Sequence, residues 1–444
     1  MRNVILVLTM LLTACSTVSQ QQVAIVSDSK GSRLTIDGQP VFLNGMNWDY
    51  FPIGTNYAYS LWQQSDDVIR AALDNEMPLL QKMGVNAIRQ YTNIPPRWIQ
   101  YIYEQYGIYT MINHSFGRYG LVVNGVDYSH TDYCQEDIRA ELLQQAEELA
   151  RTYQNTPGLL LYLLGNENNY GLFWSGAETE DIPMDSPQQP SPATRHQTPE
   201  SQAHCLYELF NEAARRIKAI DASHPVAICN GDLQFLDIIA EVCKDVDVLG
   251  VNSYRGESFD VLFRNVKEQY GKPVLFTEFG ADALNAITKQ EAQREQAAIL
   301  LSNWRELYLN AAGMGQSDNC IGGFTFQFSD GWWKCGQKKN LDVHDTNASW
   351  ANGGYRFDYV KGENNMNEEW FGICAKGQPD SLGLYELQPR MAYEVLTEVH
   401  QMNPYQSTPS DIERHFGAIR QRMPTSRYHG MPPSRYNDIT KHRK

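Results

Sequence analysis

The sequence predicts an α/β protein, a (β/α)8 TIM barrel with long insertions in the loops that follow its strands. Two apolar runs of strand character, Leu159–Leu164 and residues 274–276, end abruptly and are followed by Glu167 and Glu278. A carboxylate at the carboxyl end of a barrel strand is typical of a catalytic group. The chain of 444 residues is 42% apolar, enough for a barrel of about 250 residues with elaborated loops.

The remaining elements of the barrel follow in order along the chain. An antiparallel pair of strands over residues 34–42, turning at Asp37 and Gly38, is expected to lead into it. An amphipathic helix separates the first two barrel strands, and a helix over residues 389–396 closes the barrel. From the first to the eighth, the barrel strands are expected at residues 42–48, 85–91, 108–113, 159–164, 226–230, 245–254, 274–276 and from 322 onward.

Two carboxylates on separate strands are what glycoside hydrolysis requires. One carboxyl donates a proton to the leaving oxygen, and the other carries negative charge beside the anomeric carbon. Asn166 directly precedes Glu167, and Gly280 lies two residues after Glu278. The alternative is that both are surface or ion-paired carboxylates, an interpretation that explains one such glutamate better than two.

These motifs resemble those of a known group of enzymes. Gly-Asn-Glu at residues 165–167 and Thr-Glu-Phe-Gly at residues 277–280 are similar to the acid/base and nucleophile signatures of the clan A, or "4/7", barrel glycoside hydrolases. The similarity is closest to the catalytic barrel of family 2 and covers residues 38–399. It implies a retaining double displacement, with Glu167 at strand 4 as acid/base and Glu278 at strand 7 as nucleophile.

The same resemblance implies supporting roles for residues at other strand ends. Arg89 follows strand 2, where the clan has an arginine that keeps the nucleophile ionised, and Tyr254 follows strand 6, where a tyrosine donates to it. The alternatives are a surface cation for Arg89, although arginine fits an apolar strand poorly, and core packing for Tyr254. Asn166 and Trp48 are further candidates for substrate binding or support. His114, at the end of strand 3, is a candidate for substrate contact, with a structural role as the alternative.

Aromatic residues and long loops are expected to set specificity. Trp332 and Trp333, just beyond strand 8, are candidates for sugar stacking, since an indole matches the flat C–H face of a sugar ring; capping of the barrel end is the alternative. Loops over residues 169–201 and 331–383 are expected to border the cleft. The expected substrates are β-linked glycans of the β-glucan type, with transglycosylation alongside hydrolysis.

Composition bears on the partners. The formal charge of -15 disfavours nucleic acid, because phosphate binding needs a basic face, whereas 25 Tyr and 9 Trp suit a neutral or cationic glycan. No cofactor is expected. No Cys-x-x-Cys pair is present to suggest a metal site, and Asp342, His344 and Asp345 are better explained as a solvated loop than as metal ligands.

Residues 1–14 resemble a bacterial lipoprotein signal peptide. A short basic start is followed by an apolar run over residues 4–12 and by Leu-Thr-Ala-Cys, too short a run to span a bilayer. The resemblance implies cleavage before Cys15, a lipid on its thiol, and the membrane of the cell envelope as a partner. Ser16 resembles the outer-membrane sorting class. A simple secretory peptide or a buried start of the fold is the alternative.

The predicted domain layout places a linker at residues 15–32, the barrel at 33–400, and a basic, proline-rich tail without core material at 401–444. Family 2 enzymes normally carry β-sandwich domains before the barrel, so a barrel-only relative is expected. This departure leaves the substrate open. The alternative function is a non-catalytic, glycan-binding lipoprotein with a degenerate barrel.

Export predicts disulfide bonds among the seven cysteines that follow Cys15. An odd number leaves at least one free thiol. The favoured local pair is Cys320 with Cys335, on either side of strand 8 and its loop, and a weaker possibility is Cys205 with Cys243.

Overall fold

The computed structural model describes residues 21–91, 93–172, 198–333, 337–351, 359–360, 363–381 and 383–424. Several sequence predictions fall outside these ranges. They are the signal peptide with Cys15, most of the loop over residues 169–201, Cys335, and the tail beyond residue 424.

Three antiparallel strands lead into the barrel: β1 (Val23–Asp28), β2 (Gly31–Ile36) and β3 (Gln39–Val41). The predicted turn is present, with Asp37 and Gly38 both at positive φ, as a tight two-residue hairpin requires. The linker prediction is wrong where β1 lies, because this segment is rich in β-branched residues and pairs with β2 along its whole length.

Eight parallel strands close into a barrel, which confirms the predicted fold class. They follow one another around the barrel in chain order, and the eighth pairs with the first. Each lies within a few residues of its predicted position. The barrel strands are β4 (Leu43–Asn47), β5 (Ala87–Tyr91), β6 (Tyr109–His114), β9 (Leu159–Leu164), β10 (Val226–Gly231), β11 (Val248–Asn252), β12 (Val274–Phe279) and β15 (Cys320–Thr325).

Seven helices connect successive barrel strands, and an eighth follows the last strand. They are α1 (Asp66–Met83), α2 (Pro96–Tyr106), α3 (Glu136–Tyr153), α4 (Pro199–Ile220), α5 (Leu236–Val242), α6 (Leu262–Gln269), α7 (Gln293–Leu309) and α8 (Met391–Val399). The α1 helix is typical: the Ser65 hydroxyl accepts from Val68 N, and Gly84 at φ 83° ends it. None of the helices in the described ranges is long and apolar enough to cross a membrane.

The loops after the barrel strands carry short antiparallel pairs. The β7–β8 hairpin follows β6, the β13–β14 pair follows β12, and two small sheets lie between β15 and α8. Their bounds are β7 (Leu121–Val123), β8 (Val126–Tyr128), β13 (Leu284–Asn285), β14 (Gln290–Glu291), β16 (Trp350–Ala351), β17 (Tyr359–Val360), β18 (Glu363–Met366), β19 (Cys374–Pro379) and β20 (Tyr385–Pro389).

A ninth helix, α9 (Pro409–Arg422), lies in the segment that was expected to lack core material. It begins with a capping box formed by Thr408 and Asp411. Ile412, Phe416 and Ile419 are buried along one face, and the helix packs against α7 and α8. The tail prediction is wrong here because a single apolar stripe suffices when barrel helices supply the other half of the interface.

Among the cysteines that the structure describes, one disulfide is present, between Cys134 and Cys205. Both predicted pairs are wrong, since Cys320 and Cys243 are buried free thiols. The physical reason is that α3 and α4 pack side by side, which brings the segment before α3 next to the first turns of α4. Distance along the chain was a poor guide to this contact.

Candidate active site

Glu278 lies near the end of β12, and its carboxylate is held by both residues that the sequence assigned to it. Arg89, at β5, forms an ion pair with Oε1 of Glu278. The Tyr254 hydroxyl donates to Oε2 at 3.0 Å. Arg89 is 2% exposed and Glu278 is 9% exposed, so solvent screens this attraction little. The Glu278 carboxylate is therefore fixed in direction by two partners, one on each oxygen.

Arg89 also binds the segment that carries the other glutamate. Its Nη2 donates to Oδ1 of Asn166 at 2.8 Å and to Oδ1 of Asn113 at 2.5 Å, and its Nε donates to the same Asn113 oxygen at 2.9 Å. The sequence did not single out Asn113, although it is the last residue of the predicted third strand. One guanidinium thus joins the ends of four barrel strands.

Glu167 follows β9 in a tight turn. It has a positive φ of 56°, a conformation that costs a non-glycine residue free energy and is common at functional sites. Its backbone N–H donates to Cys229 O at 3.1 Å. Asn168 Oδ1 accepts from Asn166 N at 2.8 Å. These bonds hold the half-buried Glu167 at the mouth of the barrel.

Asn166 is itself fully engaged. Its Oδ1 accepts from Arg89 and also from Asn252 Nδ2 at 3.0 Å. Its Nδ2 donates to the Tyr119 hydroxyl at 2.6 Å. Tyr119 is 53% exposed and was not predicted, because the segment after strand 3 has no pattern that reveals its course.

Glu167 and Glu278 line one cleft with a volume of about 810 Å³. Its lining is rich in tyrosine and tryptophan, as the composition suggested. The aromatic side chains among its described lining residues are Trp48, Tyr50, Phe51, Tyr57, Tyr59, Trp62, Tyr91, Tyr119, Tyr254, Phe326 and Trp333. The two glutamates that were predicted from separate motifs therefore share a site with room for a sugar.

Two further predicted site residues, Trp48 and His114, have hydrogen-bond partners within the fold. The Trp48 indole is fully buried, and its Nε1 donates to Glu76 Oε2 at 2.7 Å. The His114 Nδ1 accepts from Phe116 N at 3.1 Å. Burial lowers the pKa of His114 to about 4, so this imidazole is neutral near pH 7. The structure thus gives His114 the structural setting that was the alternative for it.

The adjacent tryptophans face different surroundings. Trp333 lines the cleft, whereas Trp332 stacks on the His344 ring with centroids 4.9 Å apart. His344 stacks in turn on Trp370 at 3.9 Å. The sequence interpretation of His344 as part of a solvated loop is wrong, because two indoles sandwich it. Within the described ranges, no group of three or more His, Cys, Asp or Glu side chains is placed to hold a metal ion.

Asp49 is a cleft residue that the sequence reading missed. Burial raises the pKa of its carboxyl to about 6, although nearby Arg89 opposes this shift. A signal was present in the sequence, since Asp49, like Glu167, is a carboxylate that comes shortly after the end of a barrel strand. Glu368 also lines the cleft, but it comes from a long loop whose course no periodicity predicts.

A comparison with known protein families agrees with the barrel fold. The family model described as "Glycosyl hydrolases family 2, TIM barrel domain" matches residues 29–330. No curated protein matches the sequence significantly. Because the matched residues span more than half of the chain, the match extends well beyond the two glutamate motifs.

Solved structures of similar fold include three enzymes of much greater length. A β-glucuronidase from an uncultured Clostridium sp. is 16% identical, with a TM-score of 0.51, over 86% of this chain and 53% of that one. A Bacteroides uniformis β-glucuronidase is 13% identical, with a TM-score of 0.52, over 85% and 37%. An Eisenbergiella tayi β-galacturonidase bound to galacturonate is 16% identical, with a TM-score of 0.48, over 86% and 54%. This chain therefore spans about half of their length or less. At such identities, the likeness to the two β-glucuronidases shows the fold alone.

Proposed function

Because the chain belongs to glycosyl hydrolase family 2, we propose that it is a retaining β-glycosidase with Glu278 as nucleophile and Glu167 as acid/base. The family that the glutamate motifs predicted is thereby confirmed. The observation that carries the mechanism is the buried Arg89–Glu278 ion pair together with the Tyr254 hydrogen bond. A carboxylate that is held in place by a buried arginine and a tyrosine hydroxyl is suited to attack a carbon.

In the first step, a Glu278 oxygen bonds to the anomeric carbon while the glycosidic C–O bond breaks. Glu167 gives its proton to the departing oxygen, so the leaving sugar departs as a neutral alcohol. In the second step, Glu167 takes a proton from water or from another sugar hydroxyl, whose oxygen displaces Glu278 from the ester. The first acceptor gives hydrolysis and the second gives transglycosylation.

The proposed substrate is a neutral, β-linked oligosaccharide or polysaccharide of the β-glucan type. Four carboxylates, those of Asp49, Glu167, Glu278 and Glu368, line the described cleft, whereas Arg118 is the one arginine or lysine among those lining residues. Glu278 is paired with Arg89 and Glu167 holds its proton as the acid, so Asp49 and Glu368 are the carboxylates proposed to repel an anionic sugar. The uronates named with the structural relatives are therefore poor models for this substrate.

The proposed location is the outer membrane of a bacterial cell envelope, through a lipid on Cys15. The support is the sequence of residues 1–16, in which a basic start, an apolar run and Leu-Thr-Ala-Cys-Ser follow one another. Labelled palmitate is expected to be incorporated into the full chain and not into Cys15→Ser. Equal labelling of both would contradict the anchor.

The catalytic assignment is tested by separating the two roles. In Glu167→Gln, aryl β-glycosides with a good leaving group such as dinitrophenol are expected to keep far more turnover than natural β-glucans, because they do not need a proton. In Glu278→Gln, both activities are expected to disappear. Initial rates on matched aryl and oligosaccharide substrates are the measurement.

Glu368→Gln is the matched control, since it removes a cleft carboxylate outside the proposed pair; its rates should stay within a few-fold of the wild type. Equal loss on both substrates in Glu167→Gln would contradict the acid/base role. Binding of β-glucans without any turnover would favour the alternative, a non-catalytic glycan-binding protein.

A further inference from the structure

One wall of the cleft is built by two loops that are hydrogen-bonded to each other. The first follows β4 and the second follows β15. Asn56 Nδ2 donates to Gln337 O at 2.9 Å, and Gly54 N donates to Leu341 O at 3.0 Å. Lys376 Nζ donates to Phe51 O at 2.7 Å and anchors the first loop from behind. The wall is therefore held in place by bonds outside the cleft.

Each loop contributes an aromatic ring to the face of this wall. The rings of Tyr57 and Trp333 lie with centroids 5.8 Å apart and planes inclined at 59°. Phe51 packs edge-on against Trp333 at 5.3 Å. All three residues line the cleft that contains Glu167 and Glu278.

The exposure of Tyr57 is not explained by folding. Its side chain is 53% exposed on a loop whose neighbouring residues Gly54 and Asn56 are tied to the opposite loop. Holding an apolar ring in water contributes little to stability. Trp332 shows the contrast, because it stacks in parallel on His344 away from the cleft lining. Trp333, the next residue, faces the cleft instead.

We propose that Tyr57 and Trp333 form a stacking platform for a second sugar residue, adjoining the sugar that reacts at Glu278. The ligand class is a neutral, β-linked oligosaccharide of two or more sugars. The proposal rests on the proposed function, because it assigns a further subsite to the same cleft. Sugar rings present C–H faces that pack on aromatic rings, and such packing needs no charge. The two inclined rings suit successive contacts along a chain better than one flat contact.

The platform makes the enzyme selective for oligomers over single sugars. It is fixed before substrate arrives, so little ordering of the wall is required on binding. It also provides a place to hold an acceptor sugar during transglycosylation, and the sequence had offered both Trp332 and Trp333 as candidates for sugar stacking. The structure assigns that role to Trp333, because Trp332 is committed to His344.

The test compares two donors that differ in whether they reach the platform. Gluco-oligosaccharides of three to five β-1,3- or β-1,4-linked units extend beyond the reaction centre, whereas β-glucosyl fluoride has a one-atom leaving group. Trp333→Ala and Tyr57→Ala are each expected to lower kcat/KM for the oligosaccharides about tenfold and to leave the fluoride rate within twofold.

Tyr57→Phe, which keeps the ring, is expected to retain the wild-type ratio of the two rates, and Trp333→Phe to retain part of it. Trp332→Ala is the matched control for loss of an indole outside the cleft lining and should not change this ratio. Equal loss on both donors, or no loss on either, would overturn the platform.

Failure of the proposed function would look different, since the wild type would then turn over neither donor. In that case, a binding measurement still tests whether the platform holds an oligosaccharide. Titration of the oligosaccharides into the wild type should change tryptophan fluorescence, and Trp333→Ala should weaken that binding about tenfold. Unchanged affinity in Trp333→Ala and Tyr57→Ala would refute the platform.

Discussion

At the scale of single residues, Arg89 contacts both the proposed nucleophile and the segment that carries the proposed acid/base. Its Nη1 pairs with Glu278, and its Nη2 binds Asn166, the residue before Glu167. The guanidinium is planar and rigid, so these two contacts fix the nucleophile relative to the acid/base segment. Lysine has one point of charge and cannot replace both contacts at once. The buried arginine is thus a positioning element as well as a counter-ion.

The buried carboxyl of Asp49 leads to a prediction about how the stability of the protein depends on pH. Burial raises the pKa of its carboxyl from 3.8 to about 6, against the attraction of Arg89 and Lys376, and Glu278 reinforces the shift. The folded protein therefore binds this proton more tightly than the unfolded chain. The stability that depends on it is present below pH 4 and is lost as the pH rises through 6.

Asp49→Asn is expected to remove this loss of stability at rising pH. Between pH 4 and pH 7, the difference in free energy of unfolding between the variant and the wild type should shift in favour of the variant by on the order of 2 kcal/mol, after allowance for partial exposure. Urea unfolding at several pH values measures it. Asp127→Asn, an exposed carboxylate on β8, is the control and should follow the wild type. Parallel pH curves for Asp49→Asn and the wild type would contradict the prediction.

At the scale of secondary-structure elements, the barrel strands were predictable because parallel strands buried on both faces are continuous apolar runs. Leu159–Leu164 is such a run and has the predicted bounds. Glu278 and Arg89 were predictable because they interrupt or end such runs. The β1 strand was missed, since it pairs outside the barrel and alternates only partly. The Cys134–Cys205 bond and Tyr57 were missed because they depend on contacts between distant segments.

The disulfide carries a prediction for the α3 and α4 layer. Cys134 and Cys205 are 71 residues apart, so the bond restricts a long loop in the unfolded chain and should stabilise the protein by roughly 4 kcal/mol. The double variant Cys134→Ser, Cys205→Ser is expected to unfold at lower urea than the oxidised wild type. Adding a reductant should lower the wild-type midpoint and leave the double variant unchanged. A wild-type urea midpoint that does not change when reductant is added would contradict stabilisation by the disulfide.

At the scale of the whole molecule, the net negative charge of the chain and the carboxylates of the cleft both disfavour anionic sugars. The chain has 52 acidic residues against 37 Lys and Arg, and Asp49 and Glu368 add carboxylates in the cleft besides the proposed catalytic pair. A concave site whose charged lining residues are mostly of one sign concentrates the field of the surrounding molecule. The potential in the cleft is therefore expected to repel anionic sugars before they reach Glu278.

This field predicts a preference between substrates of the same shape. The kcat/KM for 4-nitrophenyl β-glucoside is expected to exceed that for the matching β-glucuronide by about 100-fold at low salt, which corresponds to roughly 3 kcal/mol of repulsion. The gap should narrow as ionic strength rises from 0.01 to 0.5 M, because the screening length becomes shorter than the cleft.

The rate on the neutral glucoside is the internal control and should change little with salt. The variant Glu368→Gln should also narrow the gap by acting on the glucuronide alone. Faster turnover of the glucuronide would show that the carboxylates do not set the substrate class.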